Sequence, residues 1–269
     1  MIKLIAIDLD GTLLDGQKRI SERNKQALQQ AKAQGVKVVL CTGRPLRAIE
    51  PFLHELALQD EGDYSITFNG GLVQKNDTGE VMERATLEVS DVQSLVALAE
   101  ELDLPMDVLS HDTVIILDPS KNHKTLYPEL SPLLHRETAK AAELPVDRLY
   151  NKVVVGYHPE YLDEQIKKIP AAVREQYEVI KTRENLLEFM PKGITKAYGI
   201  SLLAKDLGIE QAEVMCIGDE ENDLPMIEYA GIGVAMENAI PRVKAIADVV
   251  TDSNEADGVA KVVEKYVLR

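Results

Sequence analysis

Alternation limits the folds open to this chain more than any other feature: short apolar runs, each closed by a polar turn, take turns with segments of helical periodicity. The first run, Leu4-Ile5-Ala6-Ile7, reads as a buried strand and passes directly into Asp8-Leu9-Asp10-Gly11-Thr12. Ser21 then supplies an N-cap for a helix to Gln34, with Gly35 as its stop. Residues 36–41 read as the second strand and Thr42-Gly43-Arg44-Pro45 as its exit turn. Pro45 is expected in the first turn of the next helix, whose Ile49, Leu53 and Leu56 share one face. A third strand over 65–68 ends in Asn69-Gly70-Gly71. This βαβαβ order predicts a parallel sheet with right-handed crossovers.

The pattern then changes. Leu72-Val73-Gln74 and Glu80-Val81-Met82 flank Asn76-Asp77-Thr78-Gly79, a hairpin signal. From residue 84 to 190, helix patterns over 92–102 and 161–169 mix with short strands over 114–117, 153–156, 178–181 and 186–189. Strands that follow one another without helices point to an antiparallel α+β unit. Alternation resumes afterwards. Thr195 caps a helix to Leu207, Val214-Met215-Cys216-Ile217 is a strand ending in Gly218-Asp219, and 231–235 is another strand. The expected organisation is a mostly parallel α/β domain formed by 1–83 and 191–269, with an α+β domain inserted at 84–190.

With 269 residues, 45% of them hydrophobic, the chain can bury a substantial core without disulfides or structural metals. Its two cysteines, Cys41 and Cys216, each end an apolar run and read as buried thiols of a reducing compartment. No stretch approaches the ~20 apolar residues of a membrane span. Met1-Ile2-Lys3 runs straight into the first strand, so no signal peptide is expected and the cytoplasm is the expected location. The formal net charge of −15 disfavours nucleic acid or an anionic membrane as the main partner. It also means that an anionic substrate needs a local source of positive charge.

Parallel strands bring their carboxyl ends to one sheet edge, where α/β proteins bind ligands. Three polar constellations fall at such ends: Asp8/Asp10, Thr42-Gly43, and Gly218-Asp219-Glu220-Glu221-Asn222-Asp223. A fourth group, Lys196, opens a helix just after Gly193. Alone, Asp-x-Asp-Gly is as ordinary in a turn as in a site; four such groups in this order are not. On these residues the chain resembles the haloacid-dehalogenase superfamily of phosphatases, and within it the Cof-type group, close to the sugar-phosphatase branch. The motifs carrying the resemblance are Asp8-Leu9-Asp10-Gly11-Thr12, Thr42-Gly43-Arg44, Lys196 and Gly218-Asp219-x-x-Asn222-Asp223, and they span essentially the whole chain. Ala197 follows Lys196 where these proteins often carry glycine.

The resemblance implies a Rossmann-like α/β sheet with helices on both faces, an α+β cap controlling substrate access, and Mg²⁺-dependent hydrolysis of small phosphate esters, sugar phosphates first. It implies Asp8 as nucleophile and Asp10 as proton carrier, with Mg²⁺ held by the Asp8 and Asp219 carboxylates and the Asp10 carbonyl. Thr42, the main-chain N–H groups of Leu9 and Gly43, Lys196 and Asn222 would hold the phosphoryl oxygens. Thr12, Arg44 and Asp223 would stand behind them. Residue chemistry agrees. A carboxylate can attack phosphorus and split one slow step into two, and a hard cation with oxygen ligands offsets its repulsion from phosphate. Asp8, Asp10, Asp219 and Asp223 against Lys196 leave three net negative charges facing a phosphate dianion, so a divalent ion is expected to be essential.

Two rivals share the phosphorylated aspartate: a phosphomutase, and a receiver-type signalling module, against which the inserted domain and the second acid Asp10 argue. The expected partner is a small-molecule phosphate ester. Other features take plain readings. His54, His111, His123, His135 and His158 lack metal-ligand spacing. Gly231-x-Gly233 lacks the third glycine of a dinucleotide fingerprint. Glu220 and Glu221 read as rim charges, and Asn69-Gly70 as a turn that at most edges the site.

Overall fold

β1 (Leu4–Ile7) is buried at every position, as an unbroken apolar run requires of a strand covered on both faces. In the computed structural model, which describes residues 1–117 and 119–268, it pairs in parallel with β2 (Lys37–Cys41). Between them lies the helix Glu22–Ala33, capped by the Ser21 side chain on Asn24 N–H. β3 (Tyr64–Thr67) continues the parallel ladder, and β4 (Leu72–Lys75) and β5 (Val81–Arg84) add an antiparallel hairpin at the edge. Pro45 departs from the helix expected around it. Residues Leu46–Ala48 form a 3₁₀ turn, and the α-helix Glu50–Glu55 begins later. Pro51 takes the first-turn slot there, where a missing N–H costs nothing. Ile49, Leu53 and Leu56 are nonetheless all buried.

The chain folds as two compact units, one of residues 1–44, 49–84 and 195–269, the other of 45–48 and 85–194. The second unit contains β6 (Asp107–Ser110), β7 (Thr113–Ile116), β8 (His135–Thr138), β9 (Lys152–Gly156), β10 (Tyr177–Arg183) and β11 (Leu186–Pro191). Their order is β10-β11-β9-β6-β7-β8, antiparallel except for the β7/β8 pair. Val108, Ile115, Val153, Val155, Leu187 and Phe189 form one cluster with Val92, Leu95 and Ala99 of the helix Val89–Glu101. The sheet also carries a buried ion pair, Lys152 with Glu188.

The first unit resumes with the helix Lys196–Asp206 and then β12 (Val214–Gly218), β13 (Ile232–Ala235) and β14 (Val249–Val250). Its eight-stranded sheet runs β14-β13-β12-β1-β2-β3-β4-β5. The neighbours of β1 are therefore β12 and β2, strands far apart in sequence, both parallel to it. That order sets three strand exits, after Ile7, Cys41 and Gly218, side by side on one edge.

Candidate active site

The turn after β1 is closed by main-chain hydrogen bonds from Thr12 N–H to Leu9 O (3.3 Å), Leu13 N–H to Asp8 O (3.3 Å) and Leu14 N–H to Leu9 O (2.9 Å). Gly11 sits at φ +83°, and a Cβ there would stand 2.3 Å from Asp219 Oδ2. Glycine is thus what lets the β1 turn and the β12 exit meet. Thr12, fully buried, donates its hydroxyl to Asp219 Oδ1 at 2.6 Å. At the β12 exit a 3₁₀ turn, Glu221–Asp223, folds the Asp223 carboxylate back. Its Oδ2 accepts from the N–H groups of Asp219 (2.8 Å) and Glu220 (2.9 Å).

Lys196 ties these parts together. Thr195 caps the helix by accepting from Tyr198 N–H, which places Lys196 at its first position. Lys196 is fully buried, and its Nζ donates to Asp8 Oδ1 and to Asp223 Oδ1, each at 2.5 Å. Both Asp223 oxygens are thus engaged, one by the lysine and one by main-chain N–H groups. Asp8, Asp219 and Asp223 bring carboxylate oxygens within 4.8 Å of one another. Burial, followed by the neighbouring carboxylates, pushes Asp219 up to about 9. Burial likewise raises Asp8 to about 7, against the opposing pull of the Lys196 ammonium. Burial alone would lower Lys196, but the Asp223 and Asp8 carboxylates more than reverse it, so its proton is firmly held. Buried carboxylate oxygens crowded this closely fit a hard divalent cation such as Mg²⁺.

Thr42 is buried at the β2 exit and accepts from Arg44 N–H at 3.2 Å. Gly43 lies where a Cβ would be 2.9 Å from Asn69 Oδ1. Asn222, also buried, donates its Nδ2 to the same Asn69 oxygen at 3.0 Å. The Leu9 side chain is buried, so only its main chain can face a ligand. Asp10 is set apart from the other acids. Its carboxylate accepts from Arg44 Nε (2.8 Å, Oδ2), Arg44 Nη2 (2.6 Å, Oδ1) and Lys18 Nζ (2.7 Å, Oδ1). Glu221 turns outward to Arg242 at 2.8 Å.

Asn69, expected at most to edge the site, stands beside Gly43 and Asn222, and Lys18 escapes a reading of the sequence. Asn69 carries a weak signal, since an Asn-Gly pair at a strand exit suits the left-handed φ of 54° it adopts. Lys18 carries none: it lies in an aperiodic loop, and only the folded turn brings it to Asp10. The thiols of Cys41 and Cys216 are buried and pushed up by that burial, so neither is a nucleophile.

A family model described as haloacid dehalogenase-like hydrolase matches residues 5–263. YxeH of Bacillus subtilis (strain 168) is 43% identical over 268 residues, covering 100% of this chain and 99% of its own. The 5-amino-6-(5-phospho-D-ribitylamino)uracil phosphatase YcsE of the same organism is 32% identical, covering 99% and 96%. Among solved structures, a haloacid dehalogenase-like hydrolase from Bacteroides thetaiotaomicron superposes with a TM-score of 0.84 at 30% identity, over 98% of this chain and 99% of the other. The subclass IIB sugar phosphatase BT4131 gives a TM-score of 0.82 at 28% identity, over 98% of each chain.

Proposed function

Because this chain belongs to the haloacid dehalogenase-like hydrolase family, we propose that it is a Mg²⁺-dependent phosphatase of small phosphate monoesters, sugar phosphates foremost. The observation that carries this reading is the Lys196 bridge. One buried ammonium holds Asp8 and Asp223 in place beside Asp219, with Asp10 held separately by Arg44. The two aspartates differ in their surroundings: Asp8 is buried against Lys196, whereas Asp10 is paired with Arg44 and Lys18, and the proposed exchange needs Asp10 to take up a proton there before the alcohol leaves.

Mg²⁺ would be held by the Asp8 and Asp219 carboxylates and the Asp10 carbonyl, and supplies the positive charge that lets an anionic nucleophile approach a phosphate dianion. An Asp8 carboxylate oxygen attacks phosphorus. The bond from phosphorus to the alcohol oxygen breaks, the electron pair leaves with that oxygen, and it takes the proton from Asp10. Lys196, Thr42, Asn222 and the N–H groups of Leu9 and Gly43 hold the phosphoryl oxygens. A water oxygen then attacks the same phosphorus while Asp10 takes the water's proton. The Asp8–phosphorus bond breaks, freeing inorganic phosphate and restoring both aspartates. Residues 84–190 act as a cap over access to the site, and the cytoplasm is the proposed location. Among the described residues no helix is long and apolar enough to cross a membrane.

The test is phosphate release from a panel of sugar and nucleotide monophosphates with Mg²⁺, beside Asp8→Asn and excess EDTA. Turnover is expected for the native protein alone. Asp8→Asn is expected to keep a cooperative unfolding transition, since it swaps isosteres. Residual turnover above a few per cent in either the variant or the EDTA arm counts against the reading.

A further inference from the structure

We infer that Lys18, together with Arg44, forms a second anion seat beside Asp10, so that the favoured substrates are phosphate esters whose alcohol half carries its own carboxylate or second phosphate. The inference rests on the phosphatase reading and narrows its substrate class. Arg44 already meets Asp10 fully: its planar fork covers both carboxylate oxygens, at 2.8 and 2.6 Å, the strongest geometry such a pair can adopt. Lys18 is nevertheless a second cation on the same Oδ1, at 2.7 Å. Two positive charges share one carboxylate. The excess charge lies beside the group assigned to the leaving alcohol, where the non-reacting end of a substrate would be felt.

The position of Lys18 is built by its surroundings. Asp15 Oδ1 accepts from the N–H groups of Gln17 (2.8 Å) and Arg19 (2.9 Å), and Lys18 N–H donates to Asp15 O at 2.9 Å. Within that turn Lys18 takes a left-handed φ of 61°. The loop is tied down from outside by Gly16 N–H on Glu255 Oε1 (2.6 Å) and by Asn254 Nδ2 on Leu14 O (2.8 Å). The Lys18 side chain remains 56% exposed, and an ion pair that exposed adds little to stability. Stability therefore does not account for a fixed turn that delivers a lysine to an already paired acid. Recognition does, and more so in a protein of net charge −15, which otherwise repels anions.

Matched pairs of esters test this: glycerol 3-phosphate against 3-phosphoglycerate, and glucitol 6-phosphate against 6-phosphogluconate, with 4-nitrophenyl phosphate as the common reference. Each pair differs by one carboxylate, and kcat/KM is read from phosphate release with Mg²⁺. The native protein is expected to prefer the acid by about fivefold or more, the scale of one partly exposed ion pair. Lys18→Ala is expected to abolish the preference and Lys18→Arg to retain it. Equal kcat/KM within each pair, or loss by the same factor for both members in Lys18→Ala, overturns the inference and leaves the phosphatase reading standing. No phosphate release from any ester, 4-nitrophenyl phosphate included, overturns both.

Discussion

Replacing Gly70 by alanine puts a methyl group where the main chain leading into Lys196 already lies. Gly70 holds φ +99°, and a Cβ there would stand 1.9 Å from the Thr195 carbonyl oxygen and 2.7 Å from its carbon. The carbonyl must retreat by more than ~1 Å to reach ordinary contact distance. Gly199, on the same helix, packs against the Gly70 backbone too, its own Cβ position only 3.0 Å from Gly70 Cα. The two segments meet backbone to backbone, with the Ile66 side chain packed at the same point. The left-handed backbone costs about 1–2 kcal/mol for a residue with a Cβ, and overpacking costs about 1–3 kcal/mol more. Gly70→Ala is thus expected to lose roughly 2–5 kcal/mol in urea unfolding. Thr195 caps the helix that positions Lys196, and a misplacement of about 1 Å costs on the order of 10²-fold in rate, so kcat/KM for phosphate release should fall by that factor. Gly35→Ala is the control. Gly35 has φ +86° with nothing within 4 Å of its Cβ position, so only the backbone penalty applies and turnover is unaffected. If Gly70→Ala matches Gly35→Ala in both assays, the close approach to Thr195 does not position Lys196.

Metal and pH are coupled through the same site. Burial lifts Asp8 to about 7 against the pull of Lys196, and burial followed by neighbouring carboxylates lifts Asp219 to about 9, against 3.8 in an unfolded chain. The metal-free folded form therefore binds more protons than the unfolded chain, and its stability in EDTA should fall as pH rises from about 4 through 7 to 9. Mg²⁺ bound at these carboxylates would have to displace those protons at low pH, so its thermal shift is expected to be larger near pH 9 than near pH 6; equal shifts would refute the linkage. Asn69→Ala strips Asn222 of a buried acceptor and should cost about 1–3 kcal/mol while raising KM for any ester. An unchanged KM would remove Asn222 from phosphate binding. In the second unit, Lys152→Met leaves Glu188 buried beside an apolar chain and should cost about 3–5 kcal/mol, whereas the double change Lys152→Met/Glu188→Leu recovers most of it. Urea melts of the two variants decide this, and equal losses would contradict it.

The parts legible in the sequence share a physical cause: they are strongly buried and locally patterned. β1, β2 and β12 are nearly pure apolar runs, because a central parallel strand has no solvent face to mark. Ser21 and Thr195 are visible as caps because their side chains serve N–H groups three residues on. β8 is not legible. His135-Arg136-Glu137-Thr138 is exposed at every position, so no alternation betrays it. β6 opens on Asp107, a buried acid partnered by Thr125 Oγ1 from a distant loop. The site divides in the same way. Asp8, Thr42, Lys196 and Asp219 are legible because each sits at a strand or helix end whose element is legible. Lys18 is placed by a turn that depends on Asp15 and Glu255, and no local pattern contains that information.

Charge is where the folded site departs most from a count made on motifs. Set against Lys196 alone, four carboxylates leave three net negative charges, a poor receptor for a dianion. The folded edge holds three cations, Lys196 within and Arg44 and Lys18 at Asp10, so one net negative charge remains if every acid is ionised. The cations are not spread evenly. Lys196 lies among Asp8, Asp219 and Asp223, and burial, with the neighbouring carboxylates, still raises the proton affinity of Asp8 and Asp219, while the pair at Asp10 is in excess over its single acid. On the proposed reading a metal ion would be needed at the inner group and not at the outer one. On that reading the inner group would take the phosphoryl half with the cation, and the outer group would meet the alcohol half without it. Removing Mg²⁺ should thus abolish turnover yet spare whatever affinity the Lys18 and Arg44 pair has for the free carboxylate of a product acid. Equilibrium binding of glycerate and glycerol in EDTA reads that difference directly: the acid should bind detectably better than the alcohol, and parity between them would mean that the excess charge at Asp10 is spent within the protein.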